Sequence, residues 1–375
     1  MKHILIISSY GPSLINFRLH WIKDMLSKGY KVSVAAPIEN FSNDLQKELK
    51  DLGVEINKFF LSSKSYNFFK DFKSIYSIYR IIKNLKPDII ISYTPKPIIY
   101  TGIILIFFPK IIYFPLVTGL GTPFTEINSI KKIFIRYLIS KLYWFALKSS
   151  HKIIFQNKDD LSLILKLKIV KKEKRLYVVN GSGVDLNEYP LTSLPSRPVF
   201  LMVARLLIFK GVREYVNAAK IVRSHFPKVK FQLAGGFDQN PVCINSSELE
   251  SWINQGVIEY LGEIKSVQSI LKSCKFYVLP SYYREGIPRS TLEALSVGRP
   301  IITTDSPGCR ETVIHEKNGL IVPIKDTVSL ANAMMKLLKE KDENLKKMGH
   351  ESYLLAKKRY EINKVNKSIF EIMEL

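Results

Sequence analysis

The sequence predicts an α/β protein made of two Rossmann-like domains, each built on a doubly wound parallel sheet. Short apolar runs alternate with helical segments along both halves, as expected of parallel strands that helices cover on both faces. Residues 190–198 interrupt this alternation with a stretch that is rich in Pro and Ser and has no periodicity. We therefore assign residues 1–190 to an N-terminal domain, residues 191–360 to a C-terminal domain, and residues 361–375 to a C-terminal helix that packs back on the N-terminal domain.

The first half begins with an apolar strand at residues 4–7 and an amphipathic helix at residues 15–28, which Gly29 ends. Further strands of this half are predicted at residues 31–36, 89–92, 111–115, 152–156 and 175–179. The longest apolar region, residues 98–117, is interrupted by a lysine and two prolines. We therefore predict a buried helix and strand there, and not a membrane span.

The second half repeats this order. A strand is predicted at residues 199–203, a helix at residues 212–225 and a strand at residues 230–234. Strands near residues 276–279 and 300–303 follow. Doubly wound sheets bind ligands at the carboxyl ends of their strands. We therefore expect a ligand cleft where the strand ends of the two halves meet.

The charge of the chain is large and unevenly distributed. The 375 residues carry a net charge of +23 at pH 7. Residues 1–190 hold 29 Lys and Arg against 14 Asp and Glu, so most of the excess lies in the first half. This asymmetry indicates an anionic partner, which could be a membrane surface, a nucleic acid or a phosphorylated substrate. The alternative is a genome whose base composition favours Lys, Ile, Asn and Phe.

Cysteine and histidine usage argues against disulfides and bound metals. The three cysteines have no Cys-x-x-Cys spacing, which predicts a reducing cytosol and no disulfide framework. The six histidines form no zinc pattern and no Asp-x-Asp stretch is present, so we expect no metal. The apolar run at residues 4–7 is too short for a signal peptide.

Two carboxylates, Glu285 and Glu293, bracket a Gly286-Ile287-Pro288 loop and the start of a helix. Pro288 suits the first helical turn, so the loop would direct backbone N–H groups toward a bound anion. Glu285 would lie at the mouth of that site, and Glu293 about two turns into the helix. Because carboxylates accept hydrogen bonds from hydroxyls, the stretch predicts a site for a sugar joined to a diphosphate.

Two cations follow the strand at residues 199–203. Arg205 and Lys210 lie in a strand-to-helix loop, where doubly wound sheets bind phosphates. Arg can hold phosphate oxygens in a bidentate manner, and Lys adds a point charge. A glutamate pair alone is usually a solvated helix face. The glutamates and the cations together, in this order, favour a binding site.

Other glycine-rich turns follow predicted strands of the first half. Gly11 lies in a loop that lacks a full Gly-x-Gly-x-x-Gly run, so the sequence does not predict a dinucleotide oxidoreductase. Gly11 would instead let the chain approach the cleft closely. Gly119 and Gly121 form a second turn on the same side, for which a simple strand-to-helix turn is the alternative.

These motifs resemble the family-4 retaining glycosyltransferases with the two-domain GT-B fold. The resemblance rests on the Glu285…Glu293 pair and the Arg205…Lys210 loop, and it covers nearly the whole chain. Residues 92–96, 118–121, 180–185 and 304–311 look like the bacterial subgroup that builds surface glycans on undecaprenyl diphosphate. The resemblance implies a metal-independent transferase with a UDP-sugar donor (GlcNAc, GalNAc or galactose) and a lipid-diphosphate-linked saccharide acceptor. Residues 1–190 would bind the acceptor and residues 191–360 the nucleotide-sugar.

The resemblance also implies roles for single residues. Arg205 and Lys210 would neutralise the departing diphosphate, while Glu285 would bind sugar hydroxyls and Glu293 the ribose hydroxyls. Further donor contacts are expected from Gly286, Ile287, Pro288, Gly235 and Gly236. The acceptor or cleft loops are expected to include Gly11, Tyr93, Lys96, Gly119 and Gly121. Many family members carry a His at the position of Tyr93, and that His touches the transferring sugar.

Two other classes of function remain open on the sequence. A basic nucleic-acid-binding protein would explain the charge, although no helix-turn-helix or RNP stretch is present. A glycan-binding protein without catalysis would keep the fold but would be expected to lose Arg205, Lys210 or the glutamate pair.

A basic amphipathic helix is predicted at residues 67–86. Its polar positions recur at spacings of three and four and are Lys70, Lys73, Ser77, Arg80 and Asn84. Its apolar positions are Phe68, Phe69, Phe72, Ile75, Tyr76, Tyr79 and Ile82. The helix could lie in the headgroup region of an anionic membrane, which predicts a cytoplasmic protein attached to the inner membrane face. Alternatively, its apolar side packs on the sheet. Residues 130–148 are also aromatic and basic, but their cations do not share one face.

Overall fold

The computed structural model describes residues 1–61, 68–125, 130–171, 175–237, 242–264 and 266–375. It divides the chain into two compact units. The first unit is Met1–Ser182 with Asn366–Leu375, and the second is Gly183–Val365. The boundary expected after residue 190 therefore falls inside the second unit.

Within the described residues, the first unit contains a seven-stranded parallel sheet of order β3-β2-β1-β4-β5-β6-β7. Its strands are β1 His3–Ile7, β2 Lys31–Pro37, β3 Glu55–Phe59, β4 Ile89–Tyr93, β5 Ile112–Val117, β6 Ile153–Phe155 and β7 Leu176–Val178. Its helices are α1 Ser13–Asn16, α2 Leu19–Ser27, α3 Asn43–Asp51, α4 Phe68–Leu85, α5 Pro95–Ile104, α6 Ile130–Ala146 and α7 Lys158–Lys166. The direction of chain progression reverses beside β1, as in other doubly wound sheets.

The second unit has a six-stranded parallel sheet of order β10-β9-β8-β11-β12-β13 over the described residues. Its strands are β8 Val199–Val203, β9 Lys230–Ala234, β10 Glu259–Tyr260, β11 Phe276–Leu279, β12 Ile301–Thr304 and β13 Gly319–Val322. Its helices are α8 Val212–His225, α9 Ser246–Asn254, α10 Gln268–Ser273, α11 Arg289–Ser296, α12 Thr327–Lys339 and α13 Asp342–Leu355. The predicted class, two Rossmann-like domains with parallel sheets, is confirmed.

The last helix, α14 Ile362–Met373, begins in the second unit, and its residues from Asn366 onward belong to the first. The indole N–H of Trp21 donates to Asn366 Oδ1 at 2.5 Å. Lys28 Nζ donates to the carbonyl of Leu375 at 2.9 Å, and Lys152 Nζ to that of Ile372 at 2.7 Å. The end of the chain is thus held by the first unit.

The predicted helix at residues 15–28 is wrong in one respect, because the structure breaks it into α1 and α2 around Phe17 and Arg18. Arg18 is buried, and its guanidinium carbon lies 4.3 Å from the centre of the Trp21 ring. The turn that brings this side chain inward is incompatible with one continuous helix.

The apolar region at residues 98–117 forms a buried helix and strand, as predicted. It covers most of α5, whose side chains are largely buried, and all of β5. In the described part of the chain, no helix has the length and apolar character needed to cross a membrane.

Candidate functional site

Lys210 and Glu285 form a largely buried ion pair in the second unit. Lys210 ends the 3-10 helix Ile208–Lys210, which follows β8, and Glu285 lies in the loop between β11 and α11. The distance from Lys210 Nζ to Glu285 Oε2 is 2.6 Å, and the two side chains are 15% and 10% exposed. The structure therefore brings together two of the three residues that were expected to be catalytic.

Gly211 allows the Lys210 loop to approach the end of β11. Its φ of +80° lies in the left-handed region, and it caps the start of α8. A Cβ atom at Gly211 would lie 2.1 Å from the carbonyl oxygen of Pro280. Only glycine fits this position, so it fixes how close Lys210 comes to the Glu285 loop.

Ser281 orients Glu285 and was missed by the sequence reasoning. Its hydroxyl donates to Glu285 Oε1 at 2.6 Å, so each carboxylate oxygen of Glu285 has a partner. The carbonyl of Ser281 accepts from Ser306 Oγ at 2.8 Å and also from Thr304 Oγ1. The only signal in the sequence was a polar residue shortly after an apolar strand.

The turn after β12 supports the loop that carries Glu285. Gly308 has a φ of +80°, and a Cβ atom there would lie 1.9 Å from the carbonyl oxygen of Gly286. The backbone at Gly286, where sugar and phosphate contacts were predicted, therefore rests directly on this turn.

Helix α11 begins one residue after Pro288, which is its N-cap. Glu293 is thus the fifth helical residue and lies in the second turn, closer to the helix start than predicted. Arg289 Nε lies 2.9 Å from Glu293 Oε1. Burial raises the pKa of Glu293 above its usual value of 4.5, and the neighbouring Arg289 partly opposes that shift.

The start of α11 is tied to the end of β8. Ser290 Oγ donates to the carbonyl of Val203 at 3.0 Å, and the Tyr277 hydroxyl donates to Ser290 Oγ at 2.7 Å. The N–H groups of a first helical turn have no partner within the helix and carry the positive end of its dipole. Lys210 and the N–H groups at the start of α11 therefore lie at the same end of the sheet.

Arg205 is exposed and lies two residues beyond β8. Its loop is shaped by the glycines that follow β9. Gly235 has a φ of +150°, and a Cβ atom there would lie 1.8 Å from the carbonyl oxygen of Ala204. Gly236 accepts from the N–H of Leu206 at 3.1 Å. The role of Gly235 that the structure supports is close backbone approach beside Arg205.

In the first unit, Tyr93 and Lys96 are engaged with protein partners. Tyr93 is 2% exposed, and its hydroxyl lies 2.8 Å from Ser13 Oγ. Burial raises the pKa of its phenol. Lys96 Nζ lies 2.9 Å from Asp71 Oδ1, which also accepts from the Tyr100 hydroxyl at 2.7 Å.

The glycine turns of the first unit follow β1 and β5. A Cβ atom at Gly11 would lie 2.6 Å from the carbonyl oxygen of Asn40, so the chain passes close to that residue. Gly119 and Gly121 have φ values of +117° and +74°. These turns and Tyr93 share the carboxyl edge of the sheet, where ligands of such sheets bind. Over the described residues, no group of three or more His, Cys, Asp or Glu side chains could hold a metal.

Comparison with known proteins identifies the family. Residues 4–157 match the description "Glycosyl transferase 4-like", and residues 197–340 match "Glycosyl transferases group 1". A Campylobacter jejuni protein named N,N'-diacetylbacillosaminyl-diphospho-undecaprenol alpha-1,3-N-acetylgalactosaminyltransferase is 31% identical over 355 residues, which are 91% of this chain and 90% of that relative. The chain belongs to the family-4 retaining glycosyltransferases with the GT-B fold. The resemblance inferred from its motifs is confirmed.

Other relatives of this glycosyltransferase agree. An Escherichia coli protein named UDP-Gal:alpha-D-GlcNAc-diphosphoundecaprenol alpha-1,3-galactosyltransferase is 26% identical. The match covers 75% of this chain and 74% of that relative. A solved structure of Anabaena Alr3699/HepE in complex with UDP has a TM-score of 0.75 at 16% identity and covers the whole of both chains. That likeness supports the fold.

Proposed function

We propose that this glycosyltransferase moves a sugar from a UDP-sugar to a saccharide carried on undecaprenyl diphosphate, with retention of configuration and without a metal. The observation that carries the proposal is the Lys210–Glu285 pair, which combines a phosphate-binding cation with a hydroxyl-binding carboxylate beside the start of α11. The donor is expected to be GalNAc, GlcNAc or galactose. The names of the C. jejuni and E. coli relatives favour a galacto-configured sugar and an α-1,3 linkage.

The residues of the second unit suit the departure of a diphosphate. Lys210 and Arg205 would bind its oxygens as the bond to the anomeric carbon breaks, and the first turn of α11 would add its N–H groups. When the diphosphate replaces Glu285 as the partner of Lys210, the Glu285 carboxylate can accept hydrogen bonds from the sugar hydroxyls. Glu293 would hold the ribose.

The transfer itself needs no side-chain base. The acceptor hydroxyl oxygen would attack the anomeric carbon from the face that the diphosphate leaves, which retains the configuration. Its proton would pass to a phosphate oxygen of the leaving UDP, so the products are a glycosylated acceptor and UDP. The protein contributes positioning and charge stabilisation.

The test is transfer from UDP-GalNAc, UDP-GlcNAc and UDP-galactose to a short-chain lipid-diphosphate-GlcNAc acceptor, with and without EDTA. One donor should give a product one sugar heavier, with an α-anomeric NMR signal and unchanged turnover in EDTA. UDP should raise the melting temperature. UDP binding without transfer to any such acceptor would instead indicate a glycan-binding protein. A salt-sensitive DNA shift without UDP protection would indicate a nucleic-acid-binding protein.

Peripheral attachment to the inner face of an anionic membrane forms part of the proposal. The structure places Lys70, Lys73 and Arg80 of α4 on the exposed side of the helix, as predicted. The predicted apolar side is divided differently. Ile82 of that side is buried, together with Ile78, which was not among the predicted apolar positions. Phe69, Phe72 and Tyr76 are exposed beside the cations. Asn67 and the side chain of Phe68 lie outside the described residues.

Charge reversal tests the role of this basic face. Replacing Lys70, Lys73 and Arg80 with Glu should abolish flotation with anionic vesicles at low salt, since each surface cation contributes about 1 kcal/mol. UDP binding should be unchanged. The matched control replaces the exposed Lys220, Lys228 and Lys339 of the second unit with Glu and should still float. Equal losses in both variants would mean that net charge alone controls binding.

A further inference from the structure

Helix α6 carries two apolar sides, of which only one is buried. Ile139, Tyr143 and Ala146 face the core of the first unit. A second apolar set recurs at spacings of three and four and is exposed: Ile130, Ile133, Phe134, Tyr137, Leu138 and Leu142. On a helix of 3.6 residues per turn, the members from Ile130 to Tyr137 lie roughly opposite the buried side, whereas Leu138 and Leu142 lie on the flank that joins the two sides. We call it the α6 stripe.

The α6 stripe is unusually exposed for side chains of its size. Ile130 is 86% exposed and Phe134 61%. Scattered surface leucines need no explanation, but a continuous apolar strip on one helix marks a surface that something covers. A surface helix of a globular protein normally turns polar residues to water.

The surroundings of the stripe extend its aromatic character. Helices α4, α5 and α6 carry the crossovers from β3 to β6 in order, so right-handed connections place them in one layer on the same face of the sheet. Helix α5 is buried and contacts both neighbours. The outer surface of this layer therefore includes α4, with Phe69, Phe72 and Tyr76 exposed, and α6.

Charge decides which occupant fits. Residues 130–148 contain five Lys and Arg and no Asp or Glu. A second copy docked symmetrically on this face would bring its own cations against these, and like charges would oppose the contact. An anionic lipid bilayer satisfies both features, because its hydrocarbon takes the apolar side chains and its headgroups attract the cations.

Trp144 lies on the same side of α6 as the stripe. It is 40% exposed, and Lys148 Nζ lies 3.4 Å from the centre of its ring. Aromatic side chains with a polar group, next to lysine, are typical of the membrane–water boundary.

We propose that the α6 stripe inserts into the hydrocarbon edge of an anionic bilayer, and that the cations of α4 bind headgroups beside it. The proposal rests on the membrane attachment proposed above and adds an apolar anchor that salt does not screen. The α4 cations would attract the protein to the anionic headgroups, and the α6 stripe would insert into the hydrocarbon below them.

The test uses the full chain and vesicles of phosphatidylglycerol and phosphatidylcholine. Wild-type protein should keep part of its binding at a salt concentration of about 1 M, where the Debye length is about 3 Å and headgroup attraction is screened. The stripe variant Ile133→Ser, Phe134→Ser and Leu142→Ser should lose this residual binding and partition at least about tenfold more weakly at low salt. Equal partition of wild type and stripe variant would overturn the proposal.

A matched control replaces three exposed apolar residues elsewhere. Ile38→Ser, Ile314→Ser and Val328→Ser remove similar side chains that are 59%, 47% and 61% exposed. This variant should bind like wild type. If it loses as much binding as the stripe variant, general surface hydrophobicity is responsible and α6 has no special role.

Trp144 reports insertion directly. Trp21 and Trp252 are 1% and 7% exposed, so lipids that carry bromine in their acyl chains should quench mainly Trp144. Quenching should disappear in Trp144→Phe. Binding of wild type without quenching would overturn insertion and leave only headgroup adsorption.

Transfer to a short-chain, water-soluble acceptor separates this proposal from the proposed function. The stripe variant should retain that activity, since no stripe residue belongs to the site in the second unit. Absence of transfer by wild type would contradict the proposed function while the vesicle result still decides the role of α6. A wild-type dimer that dissociates on stripe substitution would overturn the bilayer in favour of a second copy.

Discussion

The Lys210–Glu285 pair can be tested by a double-mutant cycle that separates stability from catalysis. Lys210→Met leaves the Glu285 carboxylate largely buried without its cation. Breaking a buried pair costs about 3–5 kcal/mol. We expect about 3 kcal/mol, because the Ser281 hydroxyl still donates to Glu285 at 2.6 Å and the pair is not fully buried. Glu285→Gln should cost a similar amount.

The double variant Lys210→Met, Glu285→Gln removes both charges at once. Its free energy of unfolding should exceed the value expected from the two single losses by about 1–3 kcal/mol. Turnover should show no such recovery. Each single variant should lose about 10²–10³ in kcat, and the double variant should be at least as slow, because it has no cation for the diphosphate. Urea unfolding and sugar transfer are measured on the same preparations.

An exposed pair supplies the control cycle. Arg213 Nε lies 2.7 Å from Glu248 Oε1, and the two side chains are 45% and 27% exposed. Their coupling free energy should therefore stay below about 1 kcal/mol. Substitution of either residue should leave kcat unchanged. Additive losses at Lys210 and Glu285 would show that the ion pair does not form in solution. Near-wild-type turnover of the folded double variant would refute the assignment of the active site.

Three further changes probe the rest of the site. Arg205→Ala should reduce kcat by about two orders of magnitude without lowering the melting temperature, because the side chain is exposed. Ser281→Ala should reduce kcat more than it changes KM for the donor, and Ser281→Thr should restore it, whereas a merely structural role predicts loss of stability alone. Because burial raises the pKa of Glu293, its contribution to stability is present below pH 4.5, the usual value, and is lost as the pH rises through the folded-state pKa. Glu293→Gln should not show this loss of stability when urea unfolding is measured across pH. Identical pH profiles for wild type and Glu293→Gln would contradict the prediction.

The interior strands and the edge strand β7 were predictable, whereas the edge strands β3, β10 and β13 were not. The predictions for β8, β9, β11 and α8 agree with the structure residue for residue. For β8 and β11 the reason is that buried parallel strands are continuous apolar runs. Strand β3 has the half-polar sequence EINKF, and β10 contains only two residues. Both lie at sheet edges, where one side of the strand needs no apolar cover. Hydrophobic patterning has little to detect at such positions.

The candidate site was predictable where chemistry depends on charge. Lys210 and Glu285 were identified from loop position and residue type, and the structure joins them. Ser281 and Gly308 act through contacts with residues that are distant in sequence or through backbone shape. A hydroxyl that orients a carboxylate and a glycine that supports a carbonyl have no local pattern, so only the packed loops show them.

The two surface helices show why periodicity alone does not separate a side that packs on the core from an apolar side that stays exposed. A helical pattern reports the total apolar arc, but it does not divide that arc between the core and another apolar phase. In α4, Ile78 and Ile82 fill the core, while Phe72 and Tyr76 remain outside among cations. In α6 the two apolar sides lie roughly opposite each other, so the helix is apolar nearly all round and its lysines cannot gather on one face. Because α6 has two apolar sides, its lysines occupy the remaining positions around the helix. Their scatter is therefore compatible with the proposed contact with lipid.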